Sequence, residues 1–220
     1  MSDIKIRQAR LEDIPGILDV EEESWPEHLR ATEVQFVSRI ETFPEGTLVA
    51  VMNGTIVGVV ATEIVNYRDF RQSTAALTWD KITDQGFIKK THNPSGDTLY
   101  GVDISVSRFA AGSSSMLLRT IGRMTIRYGL KRGMLGARIP RYHKYADRMG
   151  AEQYVGIKRG NGPADPELMF YKKFGLEIIR VIPNYIKDPD SCDYGVLLVW
   201  ENPFYGRPFP KFWSWLFRIK

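Results

Sequence analysis

The chain is poor in cysteine: Cys192 is the only one among 220 residues. An intramolecular disulfide is therefore impossible, and a cysteine-rich zinc site is excluded with it. No apolar run is long enough to span a bilayer. The first ten residues, MSDIKIRQAR, are charged from the outset and lack the apolar core of a secretion signal. A reducing, cytoplasmic setting and no metal are the expectations. Internal repeats, low-complexity tracts and Gly/Ser linkers are also missing, so one domain is expected over residues 1–220. The net charge of +4 is compatible with an anionic ligand but too small to argue for nucleic acid. With 43% hydrophobic and 25% charged residues, the chain can build a sizeable core.

What is present reads as alternating strands and helices. Ile4 and Ile6 alternate with polar residues as in a strand. Ile14, Ile17, Leu18 and Glu21 recur at helical spacing, and Glu12 and Asp13 sit at the helix start, where its dipole favours negative charge. Val34, Val37 and Ile40 predict a second helix over about 31–40. Asn53-Gly54 predicts a hairpin between strands at 47–52 and 55–65. A polar stretch over about 67–98 reads as an insertion or lid, with one helix near LTWDKITDQG. TLYGVDISVS restores alternation: Val102, Ile104 and Val106 on one face, Asp103 and Ser105 on the other. A helix carrying Leu117, Ile121, Met124 and Tyr128 follows and stops at Gly129. GMLGARIP is a strand, 141–164 a second insertion with a helix expected around AEQYVGI, DPELMFYKKFG a short helix, and LEIIRVIPNY and YGVLLVWENP the last strands. The order β-α-α-β-β-insertion-β-α-β-insertion-α-β-β predicts a mixed α/β (α+β) fold.

The segment RFAAGSSSMLLRTIGRM, beginning at Arg108, joins an apolar strand to an amphipathic helix through small residues. Such a loop exposes unpaired backbone N–H groups at a helix start, with the dipole adding positive potential. Ser113, Ser114 and Ser115 can add hydroxyl donors. No Gly-Lys-Ser/Thr follows, so it is not a Walker loop, and the lone Gly112 makes no dinucleotide fingerprint. A tight turn with a serine cap and an anion site both fit the loop.

The order of elements, with this loop between the fourth strand and the third helix, resembles the GNAT N-acetyltransferase family. That family's Gln/Arg-x-x-Gly-x-Gly/Ala loop, which cradles the pyrophosphate of acetyl-CoA, falls on Phe109, Ala110, Ala111, Gly112, Ser113 and Ser114. Gly112 matches; Phe109 and Ser114 depart from the pattern. FYKKFGLEII resembles the family's late Phe-Tyr-x-x-x-Gly-Phe segment, with Leu176 for the last Phe. IRQARLEDIPGILDV resembles its first strand and helix. ARIPRYHKYADRMGAEQYV and DPELMFYKKFG more narrowly resemble the GNAT domains fused to nitrilase-like amidohydrolases. The likeness covers nearly the whole chain and departs at the two insertions.

The resemblance implies a central sheet with helices on both faces, splayed between the fourth and fifth strands. It implies acetyl-CoA as co-substrate, held also by Ile104, Ser105, Val106 and Ser115, with freed backbone N–H groups polarising the thioester carbonyl. The family's amine attacks directly, so Cys192 is not needed as a nucleophile. The family's tyrosine falls on Tyr171, the candidate general acid for the departing thiolate. Asp103 is the candidate general base, and a carboxylate on a central strand is costly unless paired or functional. Glu63 is a second candidate; His28, His92 and His143 read as structural or solvated. Arg119, Arg123 and Arg127 recur every fourth residue along a solvated helix face, and Arg138, Arg141 and Lys144 lie where an acidic acceptor would enter.

Three functions follow as alternatives. One is an acetyl-CoA-dependent N-acetyltransferase acting on a small-molecule or protein amine. Another is a non-catalytic acyl-CoA-binding or regulatory module. The third is a membrane-surface acyltransferase, suggested by the tail KFWSWLFRIK, where Phe212, Trp213, Trp215, Leu216, Phe217 and Ile219 lie among cations. The preferred reading of that tail packs it on its own domain or on a second subunit, and a homodimer is allowed.

Overall fold

The structure is a computed structural model that describes residues 4–72, 77–110 and 112–217. The chain runs β1 (Ile4–Gln8), α1 (Ile14–Ser24), α2 (Glu33–Thr42), β2 (Thr47–Met52), β3 (Thr55–Val65), α3 (Tyr67–Gln72), α4 (Trp79–Thr83), β4 (Thr98–Val106) and α5 (Ser113–Arg127). It continues with β5 (Arg132–Arg138), α6 (Ala151–Gly156), β6 (Lys158–Arg159), β7 (Gly162–Pro163), α7 (Pro166–Lys173), β8 (Glu177–Ile182), β9 (Gly195–Glu201) and α8 (Pro210–Leu216).

Local chemistry explains most of the boundaries. Asn53 and Gly54 take positive φ of 53° and 82°, the pair of left-handed residues that closes a two-residue hairpin. Asp165 caps α7, its carboxylate accepting from the Glu167 and Leu168 N–H groups at 3.0 and 3.1 Å. Gly129, at φ 65°, ends α5 by donating to the Ile126 carbonyl. The insertions contain the two expected helices, α4 near LTWDKITDQG and α6 at AEQYVG, and add α3 and the hairpin of β6 and β7.

Seven strands form one sheet in the order β1-β2-β3-β4-β5-β9-β8. Every neighbouring pair is antiparallel except β4 and β5. Helices cover both faces, as expected. Ile14 and Ile17 of α1 and Phe36 and Ile40 of α2 pack with Val49 and Val59. Leu117 of α5 packs with Leu48, Ala50 and Val60 from the alternate positions of the same strands. Ile17, Phe36 and Leu117 are fully buried, each contributing roughly 1.5–3 kcal/mol of hydrophobic free energy.

The sheet opens at one place. The β4–β5 ladder runs only from Thr98↔Arg132 to Gly101↔Leu135. At that point β4 carries a bulge: Gly101 opposes Thr62 and Asp103 opposes Ala61, leaving Val102 as an extra residue. A bulge bends a strand and increases its twist. Beyond it β4 stays on β3, while β5 stays on β9 as far as Arg138↔Gly195. The two strands separate, which is the expected splay.

Two ionisable side chains are buried behind the splay. Arg39 of α2 is fully buried. Its Nε donates to the Gly86 carbonyl at 2.7 Å and its Nη1 to Asp103 Oδ2 at 3.0 Å. One side chain thus ties α2, the first insertion and β4 together. Glu63 of β3 is also fully buried. Burial pushes its carboxyl up to about 8, against the pull of the nearby Thr91 hydroxyl and Arg39 guanidinium.

Arg39→Ala strands the Asp103 carboxylate without its partner. We expect a loss of about 3–5 kcal/mol in unfolding free energy, read from urea denaturation. Glu63 stays protonated in the folded chain where the unfolded chain has already released that proton, between pH 4.5 and about 8. Its contribution to stability therefore falls as pH rises through this window. Glu63→Gln should raise the melting temperature at pH 8 and make its pH dependence shallower. Glu21 is shifted in the same direction, so some slope remains.

Candidate active site

The splay opens into a cleft of about 450 Å³. Val102, Asp103 and Ile104 of β4 form one side, and Leu135, Gly136 and Arg138 of β5 the other. Leu118 and Ile121 of α5 and Glu167 and Tyr171 of α7 also line it, with Trp25 and Trp79 entering from the α1–α2 connection and α4.

The open edge of β4 has few free groups. Ser107 N–H donates to the Val57 carbonyl, so by alternation the Ser105 N–H also faces β3. The Ile104 and Val106 N–H groups face the splay. Ser24 takes the second of these: Val106 N–H donates to Ser24 Oγ at 3.1 Å, and that hydroxyl donates to the Val106 carbonyl at 3.1 Å. Trp79 Nε1 donates to the Val102 carbonyl at 3.0 Å. Of the three residues expected to offer N–H groups to a thioester, Ile104 alone keeps its group directed into the cleft.

The Ser105 and Asp103 side chains belong to a buried network. Ser105 Oγ donates to Glu21 and accepts from Trp25 Nε1 at 2.6 Å. Glu21 also accepts from Ala31 N–H at 2.9 Å. Burial, then the charge of Asp103, pushes the Glu21 carboxyl up. Asp103 lines the cleft but is committed to Arg39. The ion pair engages one of its oxygens, and the other is 3.4 Å from Ser105 Oγ.

A different carboxylate borders the cleft without a committed partner among the described residues. Glu167 stands one helical turn before Tyr171 on α7, so the two side chains share a face. Both line the cleft. Burial pushes Glu167 up to about 7; Arg138 pulls it down, and Asp165 and Asp188 push it up. A carboxyl near neutrality is suited to accepting a proton. Burial, with the nearby Glu167, Tyr185 and Asp103 charges, drives the Tyr171 phenol well above its ordinary value. It stays protonated and able to donate a hydrogen bond. Tyr171, expected from the sequence, lines the cleft, and so does Glu167, which the sequence reading did not single out although its four-residue spacing from Tyr171 is visible in DPELMFYKK.

The loop before α5 is partly as expected. Gly112 adopts φ 92°, and a Cβ built there meets no atom within 4 Å. The glycine is required by backbone conformation, and the space before it is open. Ser113 is buried and uses both its N–H and its hydroxyl on the Ala110 carbonyl, at 3.1 and 2.9 Å, so its hydroxyl is not a free donor. Ser114 and Ser115 begin α5 and are partly exposed. Ala110 is buried, and Phe109 is exposed with the Arg108 guanidinium 4.8 Å from its ring. Ala111 lies outside the described residues.

The remaining candidates fall away from the chemistry. Glu63 does not line the cleft. His92 stacks on Phe43 and accepts from Ile64 N–H at 3.1 Å. His143 is held by the Pro140 carbonyl at 2.8 Å. His28 does reach the cleft, at its exposed rim. Arg138 lines the cleft but is fixed by two 2.8 Å hydrogen bonds to Asp188. Burial pushes the Cys192 thiol up, which disfavours the thiolate a nucleophile needs.

No protein-family model matches the chain. A Bacillus subtilis (strain 168) protein described as uncharacterized N-acetyltransferase YkwB is 40% identical over 210 residues, covering 93% of this chain and 91% of that protein. Probable hydrolase YhcX of the same organism is 33% identical over 205 residues, covering 91% of this chain; the match spans only 39% of the hydrolase. Among solved structures, the GNAT-like decarboxylase GphF in complex with isobutyryl-CoA superposes with a TM-score of 0.76 at 27% identity, covering 90% of this chain and 99% of that one. The extent of the first match, together with the splayed sheet, places this chain in the GNAT N-acetyltransferase family.

Proposed function

We propose that this chain transfers the acetyl group of acetyl-CoA directly to an amine. The observation that carries the proposal is that Glu167 and Tyr171 line the same cleft as Ile104 on the open edge of β4. The pyrophosphate would lie before Gly112, where the backbone is left-handed and the space open. Ala110, Ser114 and Ser115 would flank it. The thioester would enter the splay with its carbonyl oxygen toward the Ile104 N–H, a donor that needs no reorganisation when charge develops there.

The chemistry then needs two proton positions. The amine nitrogen attacks the carbonyl carbon, a C–N bond forms, and the proton lost by nitrogen passes to Glu167, directly or through one water. The C–S bond breaks, and the thiolate leaves with a hydrogen bond from Tyr171. The raised phenol pKa favours hydrogen-bond donation over complete transfer, and the thiolate takes its proton from solvent. No covalent intermediate on the enzyme is required.

Acetyl-CoA should raise the melting temperature, as any ligand of the folded state does. Gly112→Trp should abolish that rise while the far-ultraviolet circular dichroism is kept. With an amine panel and a thiol-release assay, Glu167→Gln should lower kcat by roughly 10²-fold or more and flatten the activity rise through pH 7. Tyr171→Phe should lower kcat by roughly 10²-fold with KM for acetyl-CoA little changed. A thermal shift without turnover on any amine would replace this reading with that of an acyl-CoA-binding module.

A further inference from the structure

The tail leaves a surface that the acyl-transfer reading does not use. Helix α8 is fixed against the body by one face. Trp213 stacks on Phe204 with centroids 5.1 Å apart, and its Nε1 donates to the Pro208 carbonyl at 2.9 Å. Phe217 meets Trp200 at 5.5 Å, and its carbonyl accepts from Arg123 Nε of α5 at 3.3 Å. Much of the remaining surface of the helix and of the turn before it is apolar and exposed. Phe209 is 78% and Trp215 76% exposed, and Phe212, Leu216 and Tyr205 are each at least half exposed. Five large apolar side chains in twelve residues exceed the scattered singles of an ordinary surface.

The segment that carries these side chains is rich in cations. Residues 202–217 contain Arg207 and Lys211 and no acid, and the exposed Glu201 just before them is paired with Arg132. Residues 104–146, which include all of α5, contain no acid either. Arg119, Arg123 and Arg127 of α5 are exposed. Arg207 lies 5.2 Å from the Trp213 ring centre and Lys131 6.0 Å from that of Tyr205, so cations border the aromatics.

These facts select among occupants. A second copy docked symmetrically would bring the bordering cations Arg207 and Lys211 of the two copies together. An anionic lipid surface satisfies both features. Aromatic and aliphatic side chains enter the boundary between headgroups and acyl chains, while Lys and Arg stay at the phosphates. The mode is interfacial: among the described residues, no helix is long and apolar enough to cross a membrane. We propose that the outer face of α8, with its bordering cations, docks on the surface of an anionic bilayer. The proposal does not depend on which acyl acceptor the cleft takes.

The test is co-sedimentation of the full chain with vesicles of mixed phosphatidylglycerol and phosphatidylcholine, against vesicles of phosphatidylcholine alone. Binding to the mixed vesicles should exceed binding to the neutral ones by roughly tenfold and weaken as salt is added. The double variant Phe212→Ser, Trp215→Ser should lose roughly tenfold of that binding; both positions are exposed, so the variant should keep the parent melting temperature. Arg207→Glu with Lys211→Glu should lose the preference for anionic vesicles. Absence of binding to mixed vesicles by the folded chain overturns the proposal. Equal binding to both vesicle types does so too. A concentration-dependent dimer in analytical ultracentrifugation, abolished by the serine variant, would assign the face to a second copy and likewise overturn it.

Discussion

The arrangement depends on one interruption of backbone pairing, the bulge at Val102. Upstream of it β4 and β5 form a regular parallel ladder, and downstream they share none. Strand edges left unpaired inside a protein are costly, because each N–H and carbonyl must find a partner. Side chains from remote segments supply most of those partners. Trp79 takes the Val102 carbonyl, and Ser24 takes both groups of Val106. The opening is therefore a built feature, closed at both ends by specific donors and acceptors. Between those ends stands Ile104.

The acids around the cleft show how environment separates groups of one chemical kind. Asp103 is on the central strand, yet Arg39 engages one of its oxygens and the packing of α2 depends on the pair. Glu21 lies in the same network, shielded by Ser105, Trp25 and the Ala31 N–H. Glu167 has no such committed partner among the described hydrogen bonds. It borders the cleft, where burial is balanced against the Arg138 charge. The proton-accepting role proposed above for Glu167 rests on this difference in hydrogen-bond commitment: Asp103 is held by Arg39, and Glu167 borders the cleft without such a partner.

Much of the fold was legible in the sequence because local signals and tertiary demands agreed. Asn53-Gly54 fixed a hairpin, alternation marked β4, and Gly129 and Gly175 ended their helices. Gly112 and Tyr171 were legible through the family's motifs, and they fall beside open space and on the cleft wall respectively. What was not legible depended on separation along the chain. Arg39 and Asp103 are 64 residues apart, and Ser24 and Val106 are 82. Local pattern carries no trace of such pairings. Neither does it carry the bulge, which exists only in the register of β4 on β3. Glu167 is the intermediate case. Its spacing from Tyr171 was visible, but which face of the short α7 meets a cleft follows from packing alone.

Helix α5 connects the functional regions in a way no single one reveals. Its first turn abuts the Gly112 loop, its middle contributes Leu118 and Ile121 to the cleft wall, and its second half carries Arg123, which holds the carbonyl after α8. The helix is packed along the sheet by the buried Leu117, Leu118 and Met124, so α8 and the cleft wall rest on one buried element. If the outer face of α8 rests on a bilayer, the cleft is tied to the lipid headgroups through α5. An acceptor concentrated at that surface would then be presented to the cleft, and the docking would bias acceptor choice without any direct contact to it.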